Sequence, residues 1–423
     1  MNELNELLRI ILKKNVQLAV GCTEPVAVGY LSQEMKSYID FSYNKVEIKV
    51  SKNIFKNGKS VCIPGTQESG LALAAAIGLT KEKKSEGLLV FQGIQTEDII
   101  KAKALMNEIS IQLKIAEDSP DVFVEIIILG SNRKMIGRIA YGHDNITYLE
   151  LDGAVIKKGE RERASKTIIE DFSIESVFNV VEKISEKELL FLEEGIHYNI
   201  EAAREGLREA YGLGLGKKLK KLLEEKKISS DIGMKSRILT AAAADMRMGG
   251  GTCPIMTSGG SGNQGIGVLI PIVVVAEEEN ISKGRRNRGL LFGHLMNELV
   301  KVYSGKLSGM CGCAIGSGIG AVAGIVWMLG GGIEEITHAC NAIFANLAGM
   351  ICDGAKDTCA LKLSTCANEA VITAYLAMSG MNIKQSVGVV GTSLNHTIRN
   401  IGYLSKEAFS VVDERVLDII TRA

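Results

Sequence analysis

Proline is almost missing from this chain, five residues among 423, while glycine appears 46 times. The glycines lie inside apolar, alanine-rich segments without a three-residue period, which excludes a collagen-like fibre and a low-complexity linker. Glycine placed this way lets helices approach closely or lets backbone approach a ligand. Net charge is missing too: 49 Lys plus Arg balance 49 Asp plus Glu, so no overall field draws nucleic acid or an acidic membrane. No basic cluster interleaved with aromatics appears, which removes nucleic acid as an expected partner. The first residues, MNELNELLRIILKK, carry acids among their apolar positions and no small-residue cleavage site. They read as an amphipathic helix instead of a signal peptide. A cytoplasmic, reducing location is therefore expected, where nine cysteines point to metal binding or catalysis more than to disulfides.

Long hydrophobic runs are few. Ile266–Ala276 is too short to cross about 30 Å of hydrocarbon. Met310–Ile333 is uncharged over 24 residues, but it is glycine-rich, begins with two cysteines and has no second span beside it. It is expected to be a buried helix in a helical core, and no membrane partner is expected.

The texture changes twice along the chain. Residues 1–40 look helical, interrupted at Gly21–Pro25, with Pro25 suited to the first turn of a second helix. From 41 to 158 the segments VEIKVS (46–51), GLLVFQ (87–92), ISIQLKIA (109–116), DVFVEIIIL (121–129), MIGRIAYG (135–142) and NITYLELD (145–152) alternate or run β-branched, as strands do. Helical patterns at 68–79 and 95–108 lie between them, and Gly130-Ser131-Asn132 marks a hairpin. From 159 to 423 nearly everything is helical, and much of it is apolar on all sides, as in a buried bundle. The expected fold is α+β: N-terminal helices (1–40), a mixed α/β domain (41–158), then a mainly α-helical catalytic domain (159–423).

Cysteine placement carries the chemistry. Cys311, Cys313, Cys340, Cys352 and Cys359 fall within 49 residues, with Cys366 just beyond. Cys352, Cys359 and Cys366 are spaced by sevens, so an unbroken helix would stack them on one face. Asp353-Gly354 breaks that helix and makes Cys352 a loop residue. Structural zinc sites usually show C-x2-C pairs, and none occurs here. Three thiolates from separate segments suit instead a cluster of four irons and four sulfides with one iron left open to substrate.

A second constellation is Ser258-Gly-Gly-Ser-Gly-Asn-Gln-Gly265 ahead of an apolar helix. Its N–H groups and the helix dipole suit an anion. Neither a Walker nor a Rossmann pattern fits, so a carboxylate is expected in place of a nucleotide phosphate. A third is Gly21-Cys22-Thr23-Glu24-Pro25, where a cysteine at a helix start should have its thiolate favoured. Cys22 could act as base or nucleophile, and Glu24 as helix-start carboxylate or active-site acid. Cys62, Cys253, Cys340 and Cys366 read as core, and His294, His338 and His396 as core residues and not ligands.

Together, GCTEP (21–25), KNGKSVCIPGT (56–66), SGGSGNQGIGVLIP (258–271), LSGMCG (307–312) and MICDGAKDTCALK (350–362) resemble the L-cysteine desulfidase family. That family is related to the α chain of iron–sulfur-dependent L-serine dehydratases. The motifs run through most of the chain in the same order. The resemblance implies a [4Fe-4S] cluster on Cys311, Cys352 and Cys359, with Cys311 preferred to Cys313 by the LSGMCG frame. It implies Cys22 as the base, and substrate carboxylate on Ser258, Gly259, Gly260, Ser261, Asn263 and Gln264. The CDGAKDTC spacing favours the desulfidase branch over the dehydratase branch. The implied enzyme is a carbon–sulfur lyase that cleaves L-cysteine to sulfide, ammonia and pyruvate. Its alternatives are an iron–sulfur L-serine dehydratase, a deaminase of another β-substituted amino acid, or a non-enzymatic module binding a cluster or an amino acid. A small amino acid is the expected partner, and a homo-oligomer is compatible with the sequence.

Overall fold

The computed structural model describes residue 12 and residues 14–159, 173–305 and 307–422. Most of the amphipathic helix expected at the N-terminus lies outside the described residues. The chain begins with a two-residue strand β1 (Leu18–Ala19) and helix α1 (Thr23–Lys36), with Pro25 in the first turn of α1. There follow β2 (Tyr43–Val50), α2 (Lys52–Gly58), α3 (Leu71–Thr80) and α4 (Thr96–Glu108). Five further strands complete this part: β3 (Ser110–Ile115), β4 (Phe123–Gly130), β5 (Lys134–Ala140), β6 (Ile146–Leu151) and β7 (Ala154–Lys158).

The strands β2 to β7 form a mixed sheet in the order β3-β2-β4-β5-β6-β7, with β2 and β3 parallel and the other pairs antiparallel. Period-2 alternation explains its two faces. Val46, Ile48 and Val50 stand opposite Ile128, Ile126 and Val124, all fully buried, whereas Lys49 and Glu125 pair as ions on the other face. Helix α1 lies on the apolar face, close enough that a side chain on Gly137 of β5 would meet Met35. The expected hairpin closes where Gly130 N–H donates to Arg133 O at 2.9 Å.

One expected strand is not a strand. GLLVFQ (87–92) forms a single 3-10 turn over Gly87–Leu89. Its Leu88, Val90 and Phe91 are buried, but the carbonyls a sheet neighbour would have paired are taken by a side chain. Lys81 Nζ donates to Val90 O and Gln92 O, both at 2.8 Å. A buried ammonium with several carbonyl acceptors replaces the ladder.

The remainder is helical: α5 (Ile174–Lys183), α6 (Phe191–Arg208), α7 (Leu215–Glu224), α8 (Ile232–Met248), a short strand β8 (Ile255–Met256) paired with β1, α9 (Gly262–Glu278) and α10 (Lys283–Ser304). One π-helical turn, Cys313–Ser317, leads into α11 (Gly318–Leu329), followed by α12 (Ile333–Leu347), α13 (Cys359–Met378) and α14 (Leu394–Arg422). Helices α9 and α11 are buried on nearly every side, as their uninterrupted apolar composition requires. Among the described residues no helix is long and apolar enough to cross a membrane, and the uncharged run from Met310 is packed inside the bundle.

Glycine sets how closely α10 and α11 cross. A Cβ on Gly320 would lie 2.5 Å from Gly293 O, and one on Gly293 would lie 2.7 Å from Gly320 O. This reciprocal contact fixes the π turn that follows Cys311 against α10. Gly320→Ala is expected to cost about 1–3 kcal/mol through overpacking. Its thermal unfolding midpoint should fall relative to the unaltered chain, while Gly349→Ala, where a Cβ meets nothing within 4 Å, should leave the midpoint unchanged.

Candidate active site

Helix α1 begins at a buried carboxylate. Cys22 caps the helix with extended backbone, and its thiol donates to Glu24 Oε2 at 2.9 Å. Thr23 Oγ1 donates to the same oxygen at 3.1 Å, and Asn57 Nδ2 to Glu24 Oε1 at 2.9 Å. His143 Nε2, from the turn between β5 and β6, stands 3.9 Å from Glu24 Oε1. Burial opposes ionisation of Glu24, but His143, the Cys22 and Asn57 hydrogen bonds and Arg247 together hold its carboxyl below the usual range. Cys22 goes the other way. Burial first, then the Glu24 charge, push its thiol well above the ordinary value, against a smaller opposing pull from Arg247. The expectation that the helix start favours a thiolate is therefore corrected: desolvation and a neighbouring carboxylate outweigh the dipole.

The glycine-rich segment turns tightly. Ser258 and Ser261 form an antiparallel bridge, with Gly259 and Gly260 between them at φ +57° and +70°. Gly260 N–H donates to Asn15 O at 2.9 Å, and Lys301 Nζ donates to Gly259 O. Ser261 caps α9 without its side chain accepting from the first turn, so no cap side chain takes up that turn's N–H donors. Gly259, Gly260, Ser261, Asn263 and Gln264 line the cavity, but Ser258 does not. Its fully buried hydroxyl sits beneath the loop, 2.9 Å from both His294 Nδ1 and Asn297 Nδ2. Burial lowers His294 to about 4, so the ring is neutral at physiological pH and serves as a support.

The cysteine segments meet through backbone. Cys311 N–H donates to Met350 O at 2.8 Å and Cys352 N–H to Gly309 O at 2.7 Å, around a bridge between Met310 and Ile351. Gly354, at φ +96° and with its Cα facing Lys56 O, breaks the chain before α13, which opens at Cys359. Lys362 Nζ donates to Ile351 O (2.8 Å) and Asp353 Oδ1 (2.6 Å), while Lys356 Nζ reaches Asp353 Oδ2 (2.7 Å). Despite burial, these two ammonium groups hold Asp353 at about 2. Cys311, Cys352 and Cys359 all open onto the cavity, as do Cys313 and Cys22, whereas Cys340 and Cys366 lie in the helical core. The hydrogen bond from the Cys313 thiol, more than any other influence, depresses Cys311 and raises Cys313.

Every cysteine is free. Among the described residues no three His, Cys, Asp or Glu side chains stand close enough to share one metal ion. A four-iron cluster sets a different requirement, since each thiolate takes a separate iron. Three thiols around one cavity, with Lys362 beside them to offset their charge, fit that group. The cavity, about 120 Å³, brings Cys22, the Gly259–Gln264 turn and these cysteines together. Sequence reasoning missed Asn57, His143, Lys362 and Arg247. Asn57 lay inside a quoted motif, and Lys362 closed another. Only a fold could have shown His143 and Arg247.

An α+β fold whose helical part closes a thiol-lined cavity over a glycine-rich helix start defines a small-molecule site. The model of the serine dehydratase alpha chain family matches residues 68–418, and the chain belongs to that family, which points to a lyase. A UPF0597 protein of Clostridium botulinum is 45% identical over 99% of this chain and 97% of its own length. UPF0597 proteins of Clostridioides difficile and Caldanaerobacter subterraneus are each 35% identical, over 97% and 98% of this chain and 98% of their own lengths.

The Cys22–Glu24 pair yields a test in iron-free protein. Glu24, Arg247 and the neighbouring Cys359 are the groups that face Cys22. A raised thiol is largely protonated at neutral pH, so Cys22 should alkylate more slowly with iodoacetamide than a free cysteine and speed up only at alkaline pH. Glu24→Gln removes both the charge and the anionic acceptor, so the rise should move to lower pH. Peptide mass mapping across a pH series reads both curves, and an unchanged curve would discard the Glu24 effect.

Proposed function

We propose that this chain is an iron–sulfur-dependent lyase that cleaves L-cysteine by β-elimination. The observation that supports it most is the shared cavity, where the Cys22–Glu24 pair, the uncapped start of α9 and Cys311, Cys352 and Cys359 all face one space. In this reading the three cysteines hold a [4Fe-4S] cluster, Cys311 being tied directly by backbone to the Cys352 segment. Such a cluster has one iron without a protein ligand, and its Lewis acidity would favour departure of the substrate sulfur.

The chain's own residues do the rest. The start of α9 receives the substrate carboxylate through its backbone N–H groups, beside the turn whose Gly260 and Ser261 N–H groups are held by Asn15 O and Ser258 O. Cys22 Sγ takes the Cα proton after passing its own proton to Glu24 Oε2 along the 2.9 Å hydrogen bond already present, an uphill transfer that leaves a strongly basic thiolate. The electrons of the Cα–H bond become the Cα=Cβ bond, and the Cβ–S bond breaks with its pair leaving on sulfur. The resulting aminoacrylate tautomerises to an imine, and water hydrolyses it to pyruvate and ammonia. Asn57 and Thr23 keep the Glu24 carboxylate fixed during the transfer. No lysine is required as a Schiff base. A serine dehydratase would use the same elements with hydroxide leaving in place of sulfide.

Anaerobic purification followed by L-cysteine addition tests the proposal. Brown protein releasing sulfide and pyruvate together is the expected result. Brown protein that releases ammonia from L-serine without acting on cysteine would transfer the reading to a dehydratase, and a ligand-binding protein without turnover would end the enzymatic one. Cys352→Ala should lose iron and activity together, and full activity in that variant would remove the cluster assignment. Cys22→Ser should keep its iron and lose about 10²–10⁴-fold in kcat, the usual contribution of a general base.

A further inference from the structure

Helix α8 ends in a run of mostly apolar residues interrupted by one aspartate and one arginine, AAAADMRMGG (241–250). Arg247 sits in the last turn of α8 and is only 3% exposed, yet it lines the cavity. Its Nη1 donates to Asn263 Oδ1 at 2.8 Å. Its Nε is buried with no hydrogen-bond partner among the described residues. The guanidinium lies against the first residue of α9: a Cβ on Gly262 would stand 2.3 Å from Nε and 2.6 Å from Cζ. Gly262 is therefore fixed as glycine by the arginine, and the arginine is held at the start of a 17-residue helix with no side-chain cap.

A buried guanidinium is costly unless an anion or several acceptors meet it. Here one amide oxygen accepts from it, the buried Nε has no partner among the described residues, and the Glu24 charge acts on it without a hydrogen bond between them. Both the charge and the free N–H groups of that turn call for the same thing, a planar anion small enough for the cavity. Resting on the reading of the site as an amino-acid lyase, we propose that Arg247 is the positioning residue for the substrate's α-carboxylate. Its guanidinium, which lines the cavity, and the N–H groups at the start of α9 would hold that carboxylate from two sides. The consequence is specificity: thiols that carry a carboxylate are selected over those that carry only an amine. Asn263, which accepts from Arg247, then acts to orient the guanidinium as well as to line the cavity.

The test compares two thiols that differ at one end. The affinities of 3-mercaptopropionate, which has the carboxylate and no amine, and cysteamine, which has the amine and no carboxylate, are measured by calorimetry on anaerobic, cluster-loaded protein. Unaltered protein should prefer 3-mercaptopropionate. Arg247→Gln should weaken that ligand by roughly tenfold or more, the scale of one lost charge-assisted contact, and leave cysteamine unchanged. Arg247→Lys, keeping charge without the planar fork, should fall between. In turnover, the loss should appear mainly in KM. Equal weakening of both thiols would mark Arg247 as merely structural and overturn the proposal, as would unaltered 3-mercaptopropionate binding in Arg247→Gln or no preference in the unaltered protein. Protein that prefers 3-mercaptopropionate through Arg247 but releases no sulfide from cysteine would retain the anchor and reject the desulfidase reading. Sulfide release with an unchanged KM in Arg247→Gln would do the reverse.

Discussion

Two backbone hydrogen bonds bring the cysteine-bearing segments of this protein into register. Cys311 N–H to Met350 O and Cys352 N–H to Gly309 O fasten segments that are about forty residues apart in sequence. Between them Met310 and Ile351 pair as in a minimal antiparallel ladder. Neither cysteine depends on side-chain packing alone for its position, because each N–H is engaged beside its own Cβ. Everything that follows Cys311 depends on that tie. The π turn at Cys313–Ser317 inserts one extra residue before α11, and such turns recur where a helix must aim a side chain at a site. The tight glycine contact of α11 with α10 then locks the turn against the support under the glycine-rich loop.

Charge is arranged around the cavity by giving an ionised group several partners instead of one. Asp353 is held by Lys356 and Lys362, and Lys362 also takes Ile351 O, so one cluster of ions pins the loop between two cysteines. Such an arrangement retains more of its value than an exposed pair, because the groups are partly withdrawn from water. The hydrogen bond between Cys311 and Cys313, two residues apart, is the largest of the influences that lower the first and raise the second. At Cys22 and Glu24 the local hydrogen bond is secondary: burial and the Glu24 charge raise the thiol, and, against burial, His143 with the hydrogen bonds lowers the carboxyl.

What the sequence made legible was local. The helix break at Asp353-Gly354 follows from a glycine whose φ no other residue adopts readily, and the strands β2 to β6 follow from period-2 alternation. GLLVFQ misled because its composition suits a strand, while the deciding partner, Lys81, reaches back from the end of α3. Ser258 was expected on the site with its neighbours, but the bridge to Ser261 turns it inward toward His294. Arg247 and His143 carry no local signal at all. Their position comes from α8 crossing the start of α9 and from the β5–β6 turn reaching α1, contacts between segments far apart in sequence. Residue type identified the thiols, and only three-dimensional packing identified the groups that tune them.

The carboxylate of Glu24 has a further effect that ties these parts together. It lines the same cavity as Arg247, and the arginine's charge is one of the influences that hold its carboxyl down. Yet Glu24 Oε2 is occupied by the Cys22 thiol and Thr23 hydroxyl, and Oε1 by Asn57. A carboxylate already accepting from three neutral donors gains little by moving to the guanidinium, because it would leave those donors unsatisfied. The motif at the start of α1 and the asparagine of α2 thus keep the arginine available. Cationic and anionic groups stay apart in one small volume, so the cavity presents opposite charges at separate places.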